Sequence, residues 1–215
     1  MGFTLYHYVH CPFCLRVRMA LGFLNLKYDS IVVPYDDEAT PIKLTGKKML
    51  PALTSDNKTI NESLDVIALI DTDKKLNVDL ISKNESFNQL QILLNELGSP
   101  LHSLTMPYWI YTPEFNEKSR NYFKKKKEAK RGPFSELVKN QSQYLKKLEP
   151  FLLNIENELS PFYQSKEFGL FDILIASHLW GLYIVPEFQF SEKVHGYLQK
   201  IKLKCHFNYH QDLWS

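Results

Sequence analysis

The feature that most constrains the fold is a pair of cysteines placed between a β-rich run and a helical run. Residues 3–9 are mostly aromatic and β-branched, whereas residues 15–24 are rich in helix formers and contain no proline. Cys11 and Cys14 lie between the two runs. The pattern predicts a strand, then a turn that places Cys11 at the beginning of a helix. A second β-rich run at 28–33 completes a strand–helix–strand unit, with a connection of the length that parallel strands require.

Strand and turn signals continue as far as residue 71. A short helical stretch ends at Gly46, where glycine favours a left-handed helix stop. Residues 50–54 and 58–60 predict two short strands, and the polar residues 55–57 between them favour a tight turn. A helix is predicted over 63–71. The order β-α-β-α-β-β-α fits one small α/β domain.

The rest of the chain is organised differently. The apolar periodicity fades after residue 71, which predicts an exposed linker at 74–84 between a first domain, 1–73, and a second domain, 85–215. Apolar residues of the second domain fall at helical spacing, so we predict an all-helical fold there. Pro150 lies inside one such series and is expected to kink or split that helix.

The composition limits the class of protein. Hydrophobic residues make up 44% of the chain and charged residues 23%, which is typical of a soluble globular protein. A formal net charge of +2 gives no reason to expect nucleic acid or a membrane as a partner. The most apolar segment, 168–186, contains Asp172 and His178, so it predicts a buried core helix and not a membrane span. The few cysteines and the lack of a secretory signal predict a cytoplasmic location.

The spacing of the two cysteines suits redox chemistry. A cysteine at a helix N-terminus meets unpaired N–H groups and the positive end of the helix dipole, and both stabilise its thiolate. Pro12 suits the first helical turn, and Cys14 falls within bonding distance of Cys11 on that turn. We therefore predict that Cys11 attacks and Cys14 resolves. Arg16 and Arg18 could add positive potential, although a solvated position on the helix surface is the favoured interpretation.

The same pair also fits half of a zinc site, which Cys205, His206 or His210 would complete. The pair lies at a strand-to-helix turn and the chain has no second C-x-x-C, so we predict no metal. Cys205 has no cysteine at useful spacing and is expected to be an inert apolar side chain.

A basic run covers Lys124–Lys127 and continues with Lys130 and Arg131. Such a run admits nucleic acid as a partner, but it lacks interleaved aromatic residues for base stacking. A solvated helix face is the favoured interpretation, and no nucleic-acid partner is predicted.

Three motifs of the first domain carry a resemblance to a known family. They are Cys-Pro-Phe-Cys at 11–14, Met-Leu-Pro-Ala-Leu at 49–53 and Glu-Ser-Leu-Asp-Val at 62–66. In order and spacing they resemble those of glutaredoxins of the thioredoxin superfamily. With the segment 122–134, the whole chain resembles the long glutaredoxins, the glutaredoxin 2 type, which are built on the glutathione transferase fold. The resemblance implies an α/β thioredoxin-like N-terminal domain and an all-α C-terminal domain, the glutathione transferase-like architecture.

The resemblance implies a glutathione site that includes Pro12, Phe13, Leu50 and Pro51. Pro51 matches the cis-proline of the superfamily, which frees the backbone of the preceding Leu50 to hydrogen-bond the cysteinyl part of glutathione. A proline that only edges a short strand is the alternative. Phe13 stands where a tyrosine is commonest in the family, which removes a hydroxyl group and keeps the aromatic wall.

Glu62 and Ser63 match the pair that holds the γ-glutamyl end of glutathione in the family. Ser63 would offer its hydroxyl and backbone N–H to the carboxylate, and Glu62 would meet the ammonium group. An ordinary N-cap is a compatible alternative.

The function implied is that of a glutathione-dependent thiol–disulfide oxidoreductase, which reduces protein and glutathione mixed disulfides through Cys11 and Cys14. Glutathione would be a co-substrate, no cofactor would be bound, and the partners would be disulfide-containing or glutathionylated proteins. The resemblance also implies a monomer. A cysteine-type glutathione transferase of the omega sort is the alternative enzyme, and retention of Cys14 argues against it. A non-catalytic interaction protein on the same fold is the third possibility, because fold alone does not establish function.

Overall fold

The computed structural model of the protein describes residues 2–56 and 58–207. Strands and helices alternate in its first part, in the order β1 (Phe3–His7), α1 (Pro12–Phe23), β2 (Tyr28–Val32), α2 (Ala39–Thr45), β3 (Ala52–Ser55), β4 (Lys58–Ile60) and α3 (Ser63–Ile70). The strands form a sheet in the order β2-β1-β3-β4. β1 is parallel to β2 and antiparallel to β3, and β3 is antiparallel to β4.

The element order agrees with the sequence prediction, and the differences lie at the ends of elements. β1 ends at His7 because the chain turns at residues 9–10 before the cysteines. α1 begins at Pro12, as the prediction of Cys11 at the helix N-terminus requires, and ends at Phe23. Gly46 has a φ of 75° and donates its N–H to the carbonyl oxygen of Ile42 at 2.8 Å. The predicted left-handed helix stop is therefore confirmed.

The segment that follows α3 is anchored, whereas the sequence predicted an exposed linker. Asp71 is buried, and its carboxylate accepts the backbone N–H groups of Lys75, Leu76 and Asn77 at 2.8 Å each. Leu76 is buried in the core, and a helical turn, α4 (Val78–Ile81), follows it. One buried carboxylate thus satisfies three backbone donors of a segment in which most other residues are exposed, as its polar composition predicts. The domain boundaries at 73 and 85 stay a prediction.

The second part of the chain is helical. Its elements are α5 (Glu85–Trp109), α6 (Glu117–Arg131), α7 (Phe134–Lys139), α8 (Gln141–Asn157), α9 (Leu170–Leu179), a 3₁₀ helix (Trp180–Ile184) and α10 (Glu192–Lys204). α8 continues through Pro150, so the helix is not split there. Leu148 and Ile155 of α8 are buried, and α8 packs on α5. Pro150 is exposed, and water can therefore satisfy the carbonyl that loses its donor.

α9 lies at the centre of the helical part and is buried along most of its length, as predicted for this apolar segment. Gly169 is its N-cap, and the carboxylate of Asp172 accepts the N–H of Gly169 at 2.8 Å. The other oxygen of Asp172 accepts the N–H of Tyr163 and the hydroxyl of Tyr197, each at 2.9 Å. No helix within the described ranges has both the length and the apolar character needed to cross a membrane.

The two parts share one core. α1 packs on α3 of the first part and on α9 of the second part. Phe13, in the first turn of α1, lies with its ring centre 6.3 Å from that of His178 in α9, so the cysteine-bearing end of α1 lies against the helical part. An α/β unit followed by a helical unit confirms the predicted fold class.

Candidate active site

Cys11 is the N-cap residue of α1, with extended backbone angles of φ −71° and ψ 121°. Pro12 occupies the first helical position, where its missing N–H leaves no hydrogen bond unmade. A hydrogen bond from the thiol of Cys14, the N–H groups at the helix tip and the charge of Arg16 together lower the pKa of Cys11 to about 7, against burial, which raises it. Cys11 is therefore substantially a thiolate near neutral pH.

Cys14 lies within the first turn of α1 and is fully buried. Burial raises the pKa of the Cys14 thiol well above its ordinary value, and the hydrogen bond to Cys11 and the charge of Cys11 raise it further. The N–H of Tyr8 also lies 3.4 Å from the Cys14 sulfur. Cys14 therefore keeps its proton while Cys11 loses one, which supports the predicted division between an attacking and a resolving thiol.

The two arginines of α1 are buried, so the favoured prediction of a solvated position was wrong. The guanidinium of Arg16 lies 4.6 Å from the centre of the Phe13 ring, and that of Arg18 lies 5.0 Å from the centre of the Phe207 ring. Burial lowers the pKa of Arg16 to about 10, so this group stays charged at neutral pH. The local sequence of α1 does not indicate this burial, because α9, which packs on α1, belongs to the distant second part of the chain.

Cys11 lines a cavity of about 460 Å³ between the α/β part and the helical part. Met106 and Trp109 of α5 contribute an apolar wall, and Phe123 of α6 extends it. His102 also lines the cavity; burial and then the charge of Arg131 lower its pKa to about 3, so this imidazole is neutral. The cavity offers a substrate both apolar contact and access to the thiolate.

Three of the predicted glutathione-binding residues, Pro12, Phe13 and Leu50, line this cavity. Pro51 is buried and follows Leu50 through a cis peptide bond, the form that the resemblance implied. The structure thus brings the two sequence motifs at 11–14 and 49–53 together at one site.

The other two predicted residues lie at the start of α3. Glu62 is its exposed N-cap residue, and Ser63 is buried in its first turn. Neither residue lines the cavity that Cys11 lines. Their role in binding glutathione stays a prediction.

A polar cluster that no sequence motif predicted lies at the cavity wall. The ammonium group of Lys48 donates to the carbonyl oxygen of Tyr35 at 3.0 Å and to Glu38 at 3.1 Å. The hydroxyl of Tyr122, on α6, accepts from Lys48 and donates to Glu38. The Tyr8 ring stacks on the Tyr35 ring, with centres 4.3 Å apart. These residues come from separate segments, so no local motif marks them.

The lysines of the basic run lie on different faces of α6. Lys126, Lys127 and Lys130 line the cavity, whereas Lys124 and Lys125 are exposed outside it. The favoured interpretation, a solvated face, is confirmed for Lys124, Lys125, Lys126 and Lys130, which are all exposed, whereas Lys127 is half-buried. The sequence carried a usable signal in the helical spacing of 126, 127 and 130, which places them on one face.

The alternative zinc site receives no support from the geometry. Within 2–56 and 58–207, the chain brings no three potential metal-binding side chains together. Cys205 is buried at the end of α10, as expected of an apolar filler. His210, a proposed ligand of the alternative site, lies outside the described residues.

Comparisons with known families match both parts of the chain. Residues 89–212 match the family described as glutaredoxin 2, C-terminal domain. Residues 5–77 match the glutathione S-transferase N-terminal domain. The first of these matches alone covers more than half of the chain.

Individual proteins give the same result. Glutaredoxin 2 of Escherichia coli strain K12 is 26% identical over 95% of this chain and 96% of its own length. A crystal structure of glutaredoxin 2 from Salmonella typhimurium in complex with glutathione has 27% identity and a TM-score of 0.84, and covers 98% of this chain and 97% of that one. A glutathione transferase of Ceriporiopsis subvermispora in complex with glutathione shares the fold at 16% identity, with a TM-score of 0.77 over 95% of this chain and 96% of that one.

These matches confirm the resemblance, the fold class and the class of oxidoreductase that the motifs predicted. They extend over the cysteine pair, the proline motif and the helical part alike. The chain belongs to the glutaredoxin 2 family.

Proposed function

We propose that the protein reduces disulfides at the expense of glutathione, with Cys11 as the nucleophile and Cys14 as the resolving thiol. The observation that carries the proposal is the position of Cys11 at the N-cap of α1 with Cys14 buried in the first turn of the same helix, an arrangement that lowers the pKa of Cys11 and raises that of Cys14. The thiolate lines a cavity large enough for a peptide-sized group. Proteins of this family act as glutathione-dependent thiol–disulfide oxidoreductases.

A glutathione mixed disulfide needs only Cys11. The thiolate attacks the glutathione sulfur, a disulfide forms between Cys11 and glutathione, and the substrate sulfur leaves as a thiolate that takes a proton from water. A second glutathione thiolate then attacks the glutathione bound to Cys11. Glutathione disulfide leaves, and the Cys11 thiolate is restored.

A protein disulfide needs both cysteines. Cys11 attacks one substrate sulfur and forms a mixed disulfide, and the other substrate sulfur leaves with its charge. Cys14 then gives up its proton and attacks Cys11, which releases the second substrate thiol and leaves a Cys11–Cys14 disulfide. Because Cys11 is uncharged in the mixed disulfide, it no longer raises the pKa of Cys14 through its charge. Two glutathione molecules then reduce the internal disulfide and become glutathione disulfide.

Glutathione would lie along the first part of the chain. Its cysteinyl part would lie against the backbone of Leu50 beside Pro51, with Pro12 and Phe13 next to its sulfur, and its γ-glutamyl end would lie at Glu62 and Ser63. The cis peptide bond before Pro51 and the position of Leu50 in the Cys11 cavity support this placement. Glutathione is then a co-substrate, and the chemistry requires no bound cofactor. Glutathionylated and disulfide-containing proteins are the partners, a monomer is the working unit, and the reducing cytoplasm is the place of action.

Serine substitutions test this mechanism, since they separate the two reactions. Cys11→Ser should abolish reduction of both a glutathionylated peptide and a protein disulfide. Cys14→Ser should keep most of the first activity and lose most of the second, because glutathione can resolve the intermediate only in the first case. Cys205→Ala is the matched control, since Cys205 is buried at the end of α10 and away from the cavity. If the wild type conjugated haloarenes readily and Cys14→Ser changed no disulfide reaction, the transferase alternative would replace this proposal.

A further inference from the structure

One face of α6 carries three lysines into the active-site cavity. Phe123, Lys126, Lys127 and Lys130 follow the i, i+3, i+4, i+7 spacing of a single helix face, and all four line the cavity with Cys11. Lys126, Lys127 and Lys130 together form the lysine face. The lysine face belongs to the helical part of the chain, whereas the residues that the resemblance assigns to glutathione belong to the α/β part.

The positive charge of the lysine face is only partly balanced by the protein. Among the described residues, no carboxylate oxygen lies within 4.0 Å of the ammonium group of Lys127 or Lys130. The ammonium group of Lys126 lies 3.9 Å from the carboxylate of Glu38. The same carboxylate also forms an ion pair with Lys48 at 3.1 Å. The cavity therefore offers an anion two ammonium groups without a carboxylate partner.

Lys127 is the most constrained member of the lysine face. It is half-buried, and its ammonium group lies 5.3 Å from the centre of the Phe123 ring. Burial, followed by the charges of Arg131 and Lys130, lowers its pKa, whereas a negative charge on Cys11 raises it. An anion that entered the cavity next to Cys11 would relieve this crowding of positive charge.

We propose that the lysine face binds the half of a mixed disulfide that is not glutathione, and that it selects glutathionylated protein segments whose cysteine is flanked by Asp or Glu. The inference rests on the proposed function and names the substrate class of the same site. The apolar wall of Met106 and Trp109 would receive the cysteine side chain, and the lysine face would receive the neighbouring carboxylates.

The chemistry of the leaving thiol favours such a selection. When Cys11 attacks the glutathione sulfur, the substrate cysteine leaves as a thiolate, and acidic neighbours raise its pKa and make it a poorer leaving group. Ammonium groups beside the leaving sulfur offset this repulsion. The lysine face would therefore increase the rate most for substrates that react slowly with glutathione alone.

Three glutathionylated peptides of equal length, with the cysteine flanked by Asp, by Asn or by Lys, test the proposal. We expect wild-type kcat/KM to fall in the order Asp, Asn, Lys. In Lys126→Gln/Lys130→Gln, kcat/KM for the Asp peptide should fall roughly fivefold relative to the Asn peptide, the effect of two partly exposed ion pairs. The matched control is Lys124→Gln/Lys125→Gln, which removes the same charge from the same helix outside the cavity. The control should keep the wild-type order, and added salt should weaken the preference of the wild type.

Each contrary result points to one failure. Equal kcat/KM for the three peptides in the wild type would overturn the inference and leave the oxidoreductase function intact. An equal loss for all three peptides in Lys126→Gln/Lys130→Gln, with a higher KM for glutathione, would assign the lysine face to glutathione itself and also overturn it. If both double variants lost the preference for the Asp peptide to the same extent, the preference would result from long-range steering by net charge. That result would also overturn the inference. Lack of turnover of any peptide by a folded wild type would instead contradict the proposed function.

Discussion

The carbonyl oxygen of Cys205 lies where a side chain on Gly22 would begin, 1.8 Å from the position of a Cβ atom added to that glycine. Gly22 is in the last turn of α1, and Cys205 caps the end of α10. A helix of the α/β part and a helix of the helical part thus approach each other through backbone alone. This contact fixes the distal end of the helix whose other end carries the active cysteines.

Gly22→Ala should therefore destabilise the protein, although alanine is the better helix former by about 1 kcal/mol. Because the clashing atom is backbone, the two helices must separate, and we expect the free energy of unfolding to fall by about 1 to 3 kcal/mol. Gly196→Ala in α10 is the matched control, since nothing lies within 4 Å of a Cβ there, and it should be neutral or stabilising. Urea unfolding of both variants gives the comparison, and a Gly22→Ala protein as stable as the control would contradict the predicted clash.

The sequence predicted the parts of the fold that depend on local pattern. The strand-to-helix turn at Cys11 and the left-handed stop at Gly46 are each determined by residues a few positions apart. Burial that depends on a distant segment was missed. Arg16 looked like a surface residue because α9, which packs on α1, lies far along the chain.

In the candidate site too, the sequence predicted only the residues that belong to local motifs. The cysteine motif and the proline motif predicted one wall of the cavity, because each motif is contiguous in sequence. The opposite wall, with Met106, Trp109 and Lys127, is assembled from α5 and α6, and the basic run of α6 does not by itself indicate that it faces Cys11. Only the packing of two parts of the chain brings these side chains to Cys11.

Removing the hydrogen bond from Cys14 should raise the pKa of Cys11, because that bond is the largest of the effects that lower it. In Cys14→Ala, we expect the midpoint of the pH dependence of Cys11 alkylation to rise by about 1 pH unit. Cys14→Ser keeps a hydroxyl donor and should shift the midpoint less. Cys205 will not obscure the result, since burial raises the pKa of its thiol. An unchanged midpoint in Cys14→Ala would assign the thiolate stabilisation to the helix tip and Arg16.

Ser63→Ala tests the predicted γ-glutamyl site. If the Ser63 hydroxyl holds the carboxylate of glutathione, the loss of a hydrogen bond to a charged group should cost about 1.5 to 3 kcal/mol and raise KM for glutathione roughly tenfold or more. Turnover should change little, because the contact is remote from the reacting sulfur atoms. A variant with lower stability and an unchanged KM would show that Ser63, which is buried in the first turn of α3, serves only as a helix-terminal residue.

The last prediction concerns the buried carboxyl of Asp172. Burial raises its pKa to about 6 from an ordinary 3.8, although three hydrogen bonds, from Tyr163, Gly169 and Tyr197, favour the charged form. The folded protein therefore holds a proton on Asp172 that the unfolded chain has already released between pH 4 and pH 6. Because the folded state binds more protons in this interval, the contribution of Asp172 to the free energy of unfolding must fall as pH rises from 4 to 6.

Asp172→Asn removes the titrating group and keeps its size. The variant loses the bond to Gly169, because an amide nitrogen cannot accept, but its stability relative to the wild type should improve as pH rises from 4 to 6. Tyr197→Phe is the control, since it removes one hydrogen bond to the charged form and should keep or strengthen the pH dependence. Urea midpoints of the three proteins at pH 4, 5 and 6 measure the effect. A constant difference between wild type and Asp172→Asn over this interval would mean that the buried carboxyl does not titrate there, and that its hydrogen bonds outweigh its burial.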